Sequence, residues 1–152
     1  MKSVVFCSSQ RFRKDLMAFI TRLKAEAKKQ KLHLVVFQPE FEERSHEFEN
    51  ASEKERLKDP HYTATVAGKI YDHLFRKVKV ADVCYVFNKD GYLGANTTGE
   101  LFAAAITGKI CYSHHPQMLM GTYPYDLYEE TAAQHLIHEV IRTPAELLKR
   151  LL

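Results

Sequence analysis

Four short runs of β-branched and aromatic residues constrain the fold of this chain more than any other feature. The runs are continuously apolar rather than alternating, which is typical of parallel strands that are covered on both faces. They span residues 3–7, 33–37, 82–87 and 109–112. A chain that contains several such strands needs helices on both sides of its sheet, so the runs predict an α/β fold.

Helical patterns separate most of these runs. Apolar residues recur at three- and four-residue steps over 11–29 and 62–80, and a short alanine-rich helix is predicted over 98–107. The pattern predicts a fifth strand over 138–142 and a last helix over 145–152, capped by Thr143 with Pro144 at its first position. We therefore predict a three-layer α/β/α domain, doubly wound, with about five parallel strands in flavodoxin-like order.

Length and composition predict a single domain over residues 1–152. The net charge of +3, spread along the chain, gives no reason to expect nucleic-acid binding. No apolar run is long enough to span a bilayer, and no leader sequence precedes the first strand, so we expect no membrane association and a cytoplasmic location. The three cysteines lie in strand-like runs without paired Cys-x-x-Cys spacing, which predicts reduced thiols and no metal site.

Polar segments follow the predicted strands at 8–11, 38–40, 88–96 and 113–116. Ligands of doubly wound sheets bind beyond the carboxyl ends of the strands. The first segment contains Ser8, Ser9, Gln10 and Arg11, whose hydroxyl, N–H and guanidinium groups suit a phosphate or carboxylate. The alternative is that Ser8 or Ser9 simply caps the following helix.

Residues 88–109 combine a glycine-rich loop with the start of a small-residue helix. Asn96, Thr97 and Thr98 are candidate N-caps, and Glu100 is expected in the first turn of the helix. A carboxylate at such a position is a candidate nucleophile or general base. The alternative is that Glu100 complements the helix dipole and forms a capping box with Thr97.

Two further segments have two interpretations each. Residues 38–60 are acidic and polar, and they are either a lid over the site or a solvated insertion, with a short helix near 52–58. Tyr123, Tyr125 and Tyr128 surround Pro124. They either stack on a nucleobase or belong to a surface loop or subunit contact.

The central block resembles the nucleoside 2-deoxyribosyltransferase-like family, which includes deoxynucleoside monophosphate N-glycosidases. The resemblance rests on Ala81-Asp82-Val83-Cys84-Tyr85-Val86-Phe87-Asn88, Gly91-Tyr92-Leu93-Gly94, Asn96-Thr97, Glu100, Ala104 and Gly108-Lys109, with weaker similarity at Phe75-Arg76-Lys77-Val78 and Phe6-Cys7-Ser8-Ser9-Gln10-Arg11. These segments cover about half of the chain. The resemblance implies a flavodoxin-like fold, a nucleoside or nucleotide substrate, no metal or redox cofactor, and a homo-oligomer in which a neighbouring subunit completes the site.

The resemblance also implies roles for individual residues. Glu100 matches the nucleophile that attacks C1′ of the sugar. The implied substrate-binding residues are Ser8, Ser9, Gln10, Arg11, Asn88, Gly91, Tyr92, Gly94, Asn96, Thr97 and Thr98.

The chain departs from the family pattern at two acidic positions, which here are Leu74 and Gly94. Asp90, Asp72 and His73 are therefore the candidates for the group that protonates the leaving base.

These observations favour an enzyme that transfers or hydrolyses at an N-glycosidic bond. A catalytically silent nucleotide-binding or sensing module is the alternative. A flavodoxin-like protein that binds a flavin phosphate at residues 8–11 ranks last, because no aromatic pair is clearly placed to enclose a flavin.

Overall fold

The computed structural model of the chain describes residues 1–41 and 46–152. Its main sheet has five parallel strands in the order β2-β1-β3-β4-β7. This is the flavodoxin-like order, and it confirms the predicted fold class. The strands are β1 Val4–Cys7, β2 Val36–Phe37, β3 Val83–Val86, β4 Ile110–Ser113, β5 Leu119–Thr122, β6 Asp126–Glu129 and β7 Glu139–Val140.

The central strands are buried on both faces, as their continuous apolar sequences predicted. Every residue of β1 and β3 is fully buried, and β1 pairs with β3 in register from Val4 opposite Val83 to Cys7 opposite Val86. The edge strands β2 and β7 have two residues each, so only part of each predicted edge run forms a ladder.

Helices cover both faces of the sheet. They are α1 Arg13–Lys29, α2 His46–Asn50, α3 Glu53–Arg56, α4 Pro60–Asp72, α5 Ala95–Ile106, α6 Thr131–His135 and α7 Pro144–Leu151. Short 3₁₀ turns precede α1 and follow β3. A wider π-helical stretch, His73–Val78, continues α4.

Alternate residues of the central strands belong to two separate cores. Phe6 and Tyr85 face α1 and α7, and the rings of Phe6, Phe19 and Tyr85 contact one another. Cys7 and Val86 face the opposite core, which includes Leu101 and Ala104 of α5. The period-two alternation of a strand therefore places Cys7 on the same face of the sheet as α5.

Two secondary-structure predictions need correction. The helix predicted over 62–80 is α4 followed by the π-helical stretch. Among the apolar residues that repeat along it, Val78 is fully buried, while Val66 and Ile70 are half-buried. The strands β5 and β6 form an antiparallel hairpin that the sequence did not predict. Its residues are mostly exposed or half-buried, so they lack the continuous apolar pattern of the central strands.

Within the described ranges, no helix is both long enough and apolar enough to cross a membrane.

Candidate active site

A cleft of about 670 Å³ opens at the carboxyl edge of the main sheet. Its floor comes from the end of β1 and the start of α5, and α4 forms one wall. Residues 39–41, 53, 56 and 57 contribute a roof, so part of the segment 38–60 borders the site. Residues 42–45 lie outside the described residues. Both interpretations of the segment 38–60, a lid over the site and a solvated insertion, therefore remain predictions.

Helix α5 begins earlier than predicted. Gly94 is its N-cap and provides no side-chain hydrogen bond, so Asn96, Thr97 and Thr98 lie inside the first turn rather than at the cap. The hydroxyl of Thr98 instead donates to the carbonyl of Gly94 at 2.9 Å. Because Gly94 has no capping side chain, the backbone at the start of α5 borders the cleft directly, which favours an anionic or polar ligand.

The predicted place of Glu100 in the first turn is also wrong: Glu100 is the sixth residue of α5. It belongs to the buried stripe of this helix together with Thr97, Leu101 and Ala104, at steps of three and four residues. A capping box with Thr97 is therefore excluded. Side chains on a helix lean toward its N-terminus, and Glu100 accordingly borders the cleft while only 8% of the residue is exposed.

Burial sets the protonation of Glu100. Removal from water disfavours the carboxylate and raises the pKa of Glu100 to about 7, opposed by a hydrogen bond from Cys7. At neutral pH the side chain therefore exists in both protonation states. This is the range in which a carboxyl group serves as nucleophile, acid or base.

The imidazole of His73 lies beside the carboxyl group of Glu100. Its Nε2 atom lies 3.6 Å from Oε2 of Glu100, and it begins the π-helical stretch. Burial lowers the pKa of His73 to about 4, with a further contribution from the positive charge of Lys77, while the carbonyl of Phe6 acts in the opposite direction. In the ligand-free protein at neutral pH the imidazole is neutral.

Cys7 completes this buried group at the end of β1. Its Sγ atom lies 3.6 Å from Nε2 of His73 and 3.8 Å from Sγ of Cys84. The pKa of Cys7 is raised to about 12, where burial and the neighbouring Glu100 outweigh the hydrogen bond with Cys84 that acts to lower it. Cys7, Cys84 and Cys111 are all buried free thiols.

The loop after β1 forms the polar end of the cleft. Ser9 caps the short 3₁₀ turn, its hydroxyl accepting from the N–H of Arg11 at 3.3 Å. The hydroxyl of Ser8 donates to the carbonyl of Ser9. The guanidinium of Arg11 is exposed and lies 5.4 Å from the centre of the Tyr123 ring. Ser9 therefore caps the turn and also lines the cleft, so the two interpretations of this loop are compatible.

Most residues singled out from the sequence meet at this cleft. Those that line it are Ser8, Ser9, Gln10, Arg11, His73, Tyr92, Gly94, Asn96, Thr97 and Glu100.

Five predicted residues are not among those that line the cleft. Asn88 is buried and ties β3 to the loop after β4, accepting from the N–H groups of His114 and His115. Asp90 accepts from the hydroxyl of Tyr123. Gly91 has a positive φ of +84° and lies close to His115 and Gln117 in the loop after β4. The other two are Asp72 and Thr98.

Asp72 is drawn away from the cleft by cations on its own helix. Its carboxylate lies 3.4 Å from the guanidinium of Arg76 and 3.9 Å from the ammonium of Lys77. Among the candidates for the proton donor, His73 is therefore the one that the structure brings to Glu100.

The sequence missed the α4 wall and the roof. Val66 and Ile70, which belong to the apolar repeat of the helix predicted over 62–80, form an apolar wall of the cleft. Tyr62 and Arg56 are buried at the roof, where the Tyr62 hydroxyl donates to the carboxylate of Glu53 at 3.0 Å. Lys69 lines the same wall, and a lysine beside these apolar residues is a sequence signal that could have indicated a ligand-facing wall.

Comparisons with known proteins bear on the fold. No protein-family model matches the chain, and no curated protein matches it. A conserved protein from Enterococcus faecalis V583 has a similar structure, with a TM-score of 0.57 and 13% identity over 99% of this chain and 97% of that chain. A 2-deoxyribosyltransferase from Bacillus psychrosaccharolyticus gives a TM-score of 0.49 and 14% identity, over 96% and 90% of the two chains. The first structure shares the fold of this chain. The TM-score of the second is too low to add to that conclusion.

Proposed function

We propose that this chain is a nucleoside- or nucleotide-processing enzyme that cleaves or transfers at the N-glycosidic bond. The observation that carries the proposal is a buried carboxylate, Glu100, at the floor of a cleft whose neighbouring helix start and Ser8–Arg11 loop suit a polar or anionic sugar end. The sequence resemblance around residues 81–109 supports the same assignment.

In the proposed reaction the ionised Glu100 attacks C1′ of the sugar. A bond forms between a carboxylate oxygen and C1′, and the C1′–N bond breaks with its electron pair going to the base. His73 takes the proton of Glu100 as the substrate displaces water, because the new carboxylate 3.6 Å away stabilises the imidazolium. His73 then gives that proton to the departing base. Water or a second base then attacks C1′, the bond between C1′ and Glu100 breaks with its electron pair returning to the carboxylate, and the proton of the attacking group passes to His73 and back to Glu100.

The apolar wall formed by Val66 and Ile70 suits the flat face of a nucleobase, and the loop at Ser9 and Arg11 suits the sugar 5′ end or its phosphate. The substrate would thus lie across the cleft with its glycosidic bond above Glu100.

A nucleotide-binding module without turnover is the second candidate. The observation that favours it is the placement of Asp72 and Asp90, which contact Arg76 and Tyr123 rather than the cleft. The cleft of such a module would bind the same ligands through the same residues.

The proposal includes a homo-oligomer. Tyr71 of α4, Phe75 of the π-helical stretch, and Phe102 and Ile106 of α5 are large apolar residues that are exposed by 41–87%. The π-helical stretch packs against both α4 and α5, so these side chains would form one interface beside the cleft. Multi-angle light scattering at several concentrations tests this, and a monomer at all of them would remove the interface from the proposal.

The proposed activity is tested by incubating the protein with a panel of ribo- and deoxyribonucleosides and their 5′-monophosphates. Free base is measured by chromatography, with and without a second base as acceptor. Release that occurs in water alone identifies a hydrolase, and release that needs the acceptor identifies a transferase.

Binding is measured on the same panel by calorimetry. Nucleotide binding without base release from any substrate would favour the silent module. Absence of both binding and release would remove both candidates.

A further inference from the structure

Three side chains with different donor atoms converge at the cleft, where His73 and Glu100 line it and Cys7 lies buried behind them. They are Cys7 from the end of β1, His73 from the π-helical stretch and Glu100 from α5. Their donor atoms all lie within 4.8 Å of one another, and all three residues are buried. Within the described part of the chain no comparable group was found.

The spacing of these donors fits one zinc ion. Zinc lies about 2.3 Å from a thiolate sulfur, about 2.0 Å from an imidazole nitrogen and about 2.1 Å from a carboxylate oxygen, in tetrahedral geometry. Tetrahedral angles then place sulfur about 3.6 Å from nitrogen and nitrogen about 3.4 Å from oxygen. The observed separations are 3.6 Å from Cys7 Sγ to His73 Nε2 and 3.6 Å from His73 Nε2 to Glu100 Oε2. Two of the three separations therefore already match zinc geometry, and the third, between Cys7 Sγ and the Glu100 carboxylate, lies within 4.8 Å.

The chemistry and access of the group also suit zinc. A set of one sulfur, one nitrogen and one oxygen is borderline in softness, which favours Zn²⁺ over Mg²⁺ or Ca²⁺. His73 and Glu100 border the cleft, so an ion can enter from solvent and a water or ligand atom from the cleft can occupy the fourth position. Sites with three protein ligands and one open position are typical of zinc that binds a ligand rather than zinc that only supports the fold.

We infer that Cys7, His73 and Glu100 form a Zn²⁺ site with one coordination position open to the cleft. Binding replaces the thiol proton of Cys7, and that of Glu100 where it is protonated, so protons are released to solvent. The absence of Cys-x-x-Cys spacing led the sequence to predict no metal site, but spacing along the chain does not detect ligands gathered from three separate elements.

Occupation of this site has a consequence for the proposed glycosidic chemistry. A Glu100 carboxylate that coordinates zinc shares its negative charge with the ion, so it is a weaker nucleophile toward C1′ than the free carboxylate. The zinc site itself does not depend on the proposed function, because its evidence is the geometry of the three ligands.

The test uses Co²⁺ and Zn²⁺ with the full-length chain after removal of metals by chelation. Cobalt bound to a thiolate gives a ligand-to-metal charge-transfer band in the near ultraviolet, and zinc displaces it. We expect one equivalent of Co²⁺ to produce this band in the wild type. We expect Cys7→Ser to lose the band, and Cys111→Ser, a buried thiol outside the group, to keep it.

A second variant keeps the test decisive if Cys7→Ser fails to fold. Glu100→Gln preserves the side-chain shape and should weaken Zn²⁺ at least tenfold in competition with a chromophoric chelator, while the sulfur band remains. The inference is overturned if the wild type gives no stoichiometric thiolate band, or if Glu100→Gln binds Zn²⁺ as tightly as the wild type. Base release plays no part in either readout, so failure of the zinc site and failure of the proposed activity are distinguishable.

Discussion

Oε2 of Glu100 lies 3.6 Å from Nε2 of His73, although the two residues belong to different helices. The π-helical stretch begins at His73, whose imidazole is buried on the core side of the cleft. The neighbouring Asp72 lies on the solvent side, beside Arg76 and Lys77. A wide helical turn of this kind is frequently found at functional sites. It places an imidazole, rather than a second carboxylate, beside Glu100.

Glu100→Gln should abolish base release. The amide keeps the size and shape of the side chain but cannot form the covalent bond to C1′, so we expect a loss on the order of a thousandfold or more in kcat. Nucleotide binding measured by calorimetry should change by less than about tenfold, because the amide still fits the cleft. Glu26→Gln, at a half-buried position of α1 outside the cleft, is the control and should retain full activity. Survival of base release in Glu100→Gln would reject the nucleophile assignment.

The same substitution should change how stability depends on pH in the metal-free protein. Because folding raises the pKa of Glu100 from 4.5 to about 7, the folded state favours the protonated form. The stability that the folded protein gains from the protonated Glu100 carboxyl is complete below pH 4.5 and is lost as the pH rises through about 7. Glu100→Gln should therefore gain stability relative to the wild type as the pH rises.

Denaturant unfolding measures this gain. Between pH 5 and pH 8.5 we expect the difference in unfolding free energy to grow by about 2 kcal/mol in favour of Glu100→Gln. Glu26→Gln removes the same charge outside the cleft and controls for the effect of net charge. A difference for Glu100→Gln that does not change with pH would show that folding leaves the pKa of Glu100 unshifted.

His73→Asn should slow the proposed reaction without preventing binding. Loss of the proton donor should lower kcat on the order of a hundredfold, while KM changes little. The activity lost should be smallest for substrates whose base is already a good leaving group, which separates a proton-donor role from a purely structural one. His135→Asn, an exposed residue on α6, is the matched control.

Arg11→Ala should reveal whether the substrate carries a 5′-phosphate. A guanidinium–phosphate hydrogen bond is worth about 2 kcal/mol, so KM for a 5′-monophosphate should rise about tenfold or more, while KM for the corresponding nucleoside stays constant. Lys14→Ala removes a nearby exposed positive charge outside the cleft and controls for the general electrostatic effect. Equal changes for nucleoside and nucleotide would argue against a phosphate contact at Arg11.

Two glycine-to-alanine substitutions should have opposite effects on stability. Gly121 has φ +120°, and an added Cβ would lie 2.3 Å from the backbone oxygen of Asp126, so Gly121→Ala should destabilise the hairpin by about 1–3 kcal/mol. Gly68 lies within α4 with no atom within 4 Å of an added Cβ, so Gly68→Ala should stabilise by about 1 kcal/mol. Thermal unfolding of both variants measures the contrast.

The central sheet could be predicted from the sequence because burial on both faces leaves an unmistakable pattern. Val83–Val86 is apolar at every position, and so is most of β1. The flavodoxin-like order follows from five parallel strands and the alternation with helices. The hairpin of β5 and β6 carries no such pattern, because its half-exposed residues are not held in place by a core on both faces.

The site could be predicted in part. Glu100 and the loop Ser8–Arg11 follow the ends of two strands, and strand ends meet at one edge of a parallel sheet. The start of α5 was misplaced because Asn96, Thr97 and Thr98 are good capping residues, whereas the true cap, Gly94, leaves no side-chain signal.

The Cys7–His73–Glu100 group was not foreseen as a unit. The register of His73 depends on a π-helical stretch that regular helix periodicity does not anticipate. No local spacing in the sequence indicates that Cys7, from the first strand, lies against a residue of α5.

The floor and the roof of the cleft come from different stretches of the chain. Glu100 of the floor lies on α5, and Cys7 behind it lies on β1, whereas the described roof residues at 39–41, 53, 56 and 57 lie between β2 and α4. Replacement of the roof therefore leaves the reactive group in its place. This division makes the segment 38–58 the natural position for varying substrate range by segment exchange, with the chemistry held constant beneath it.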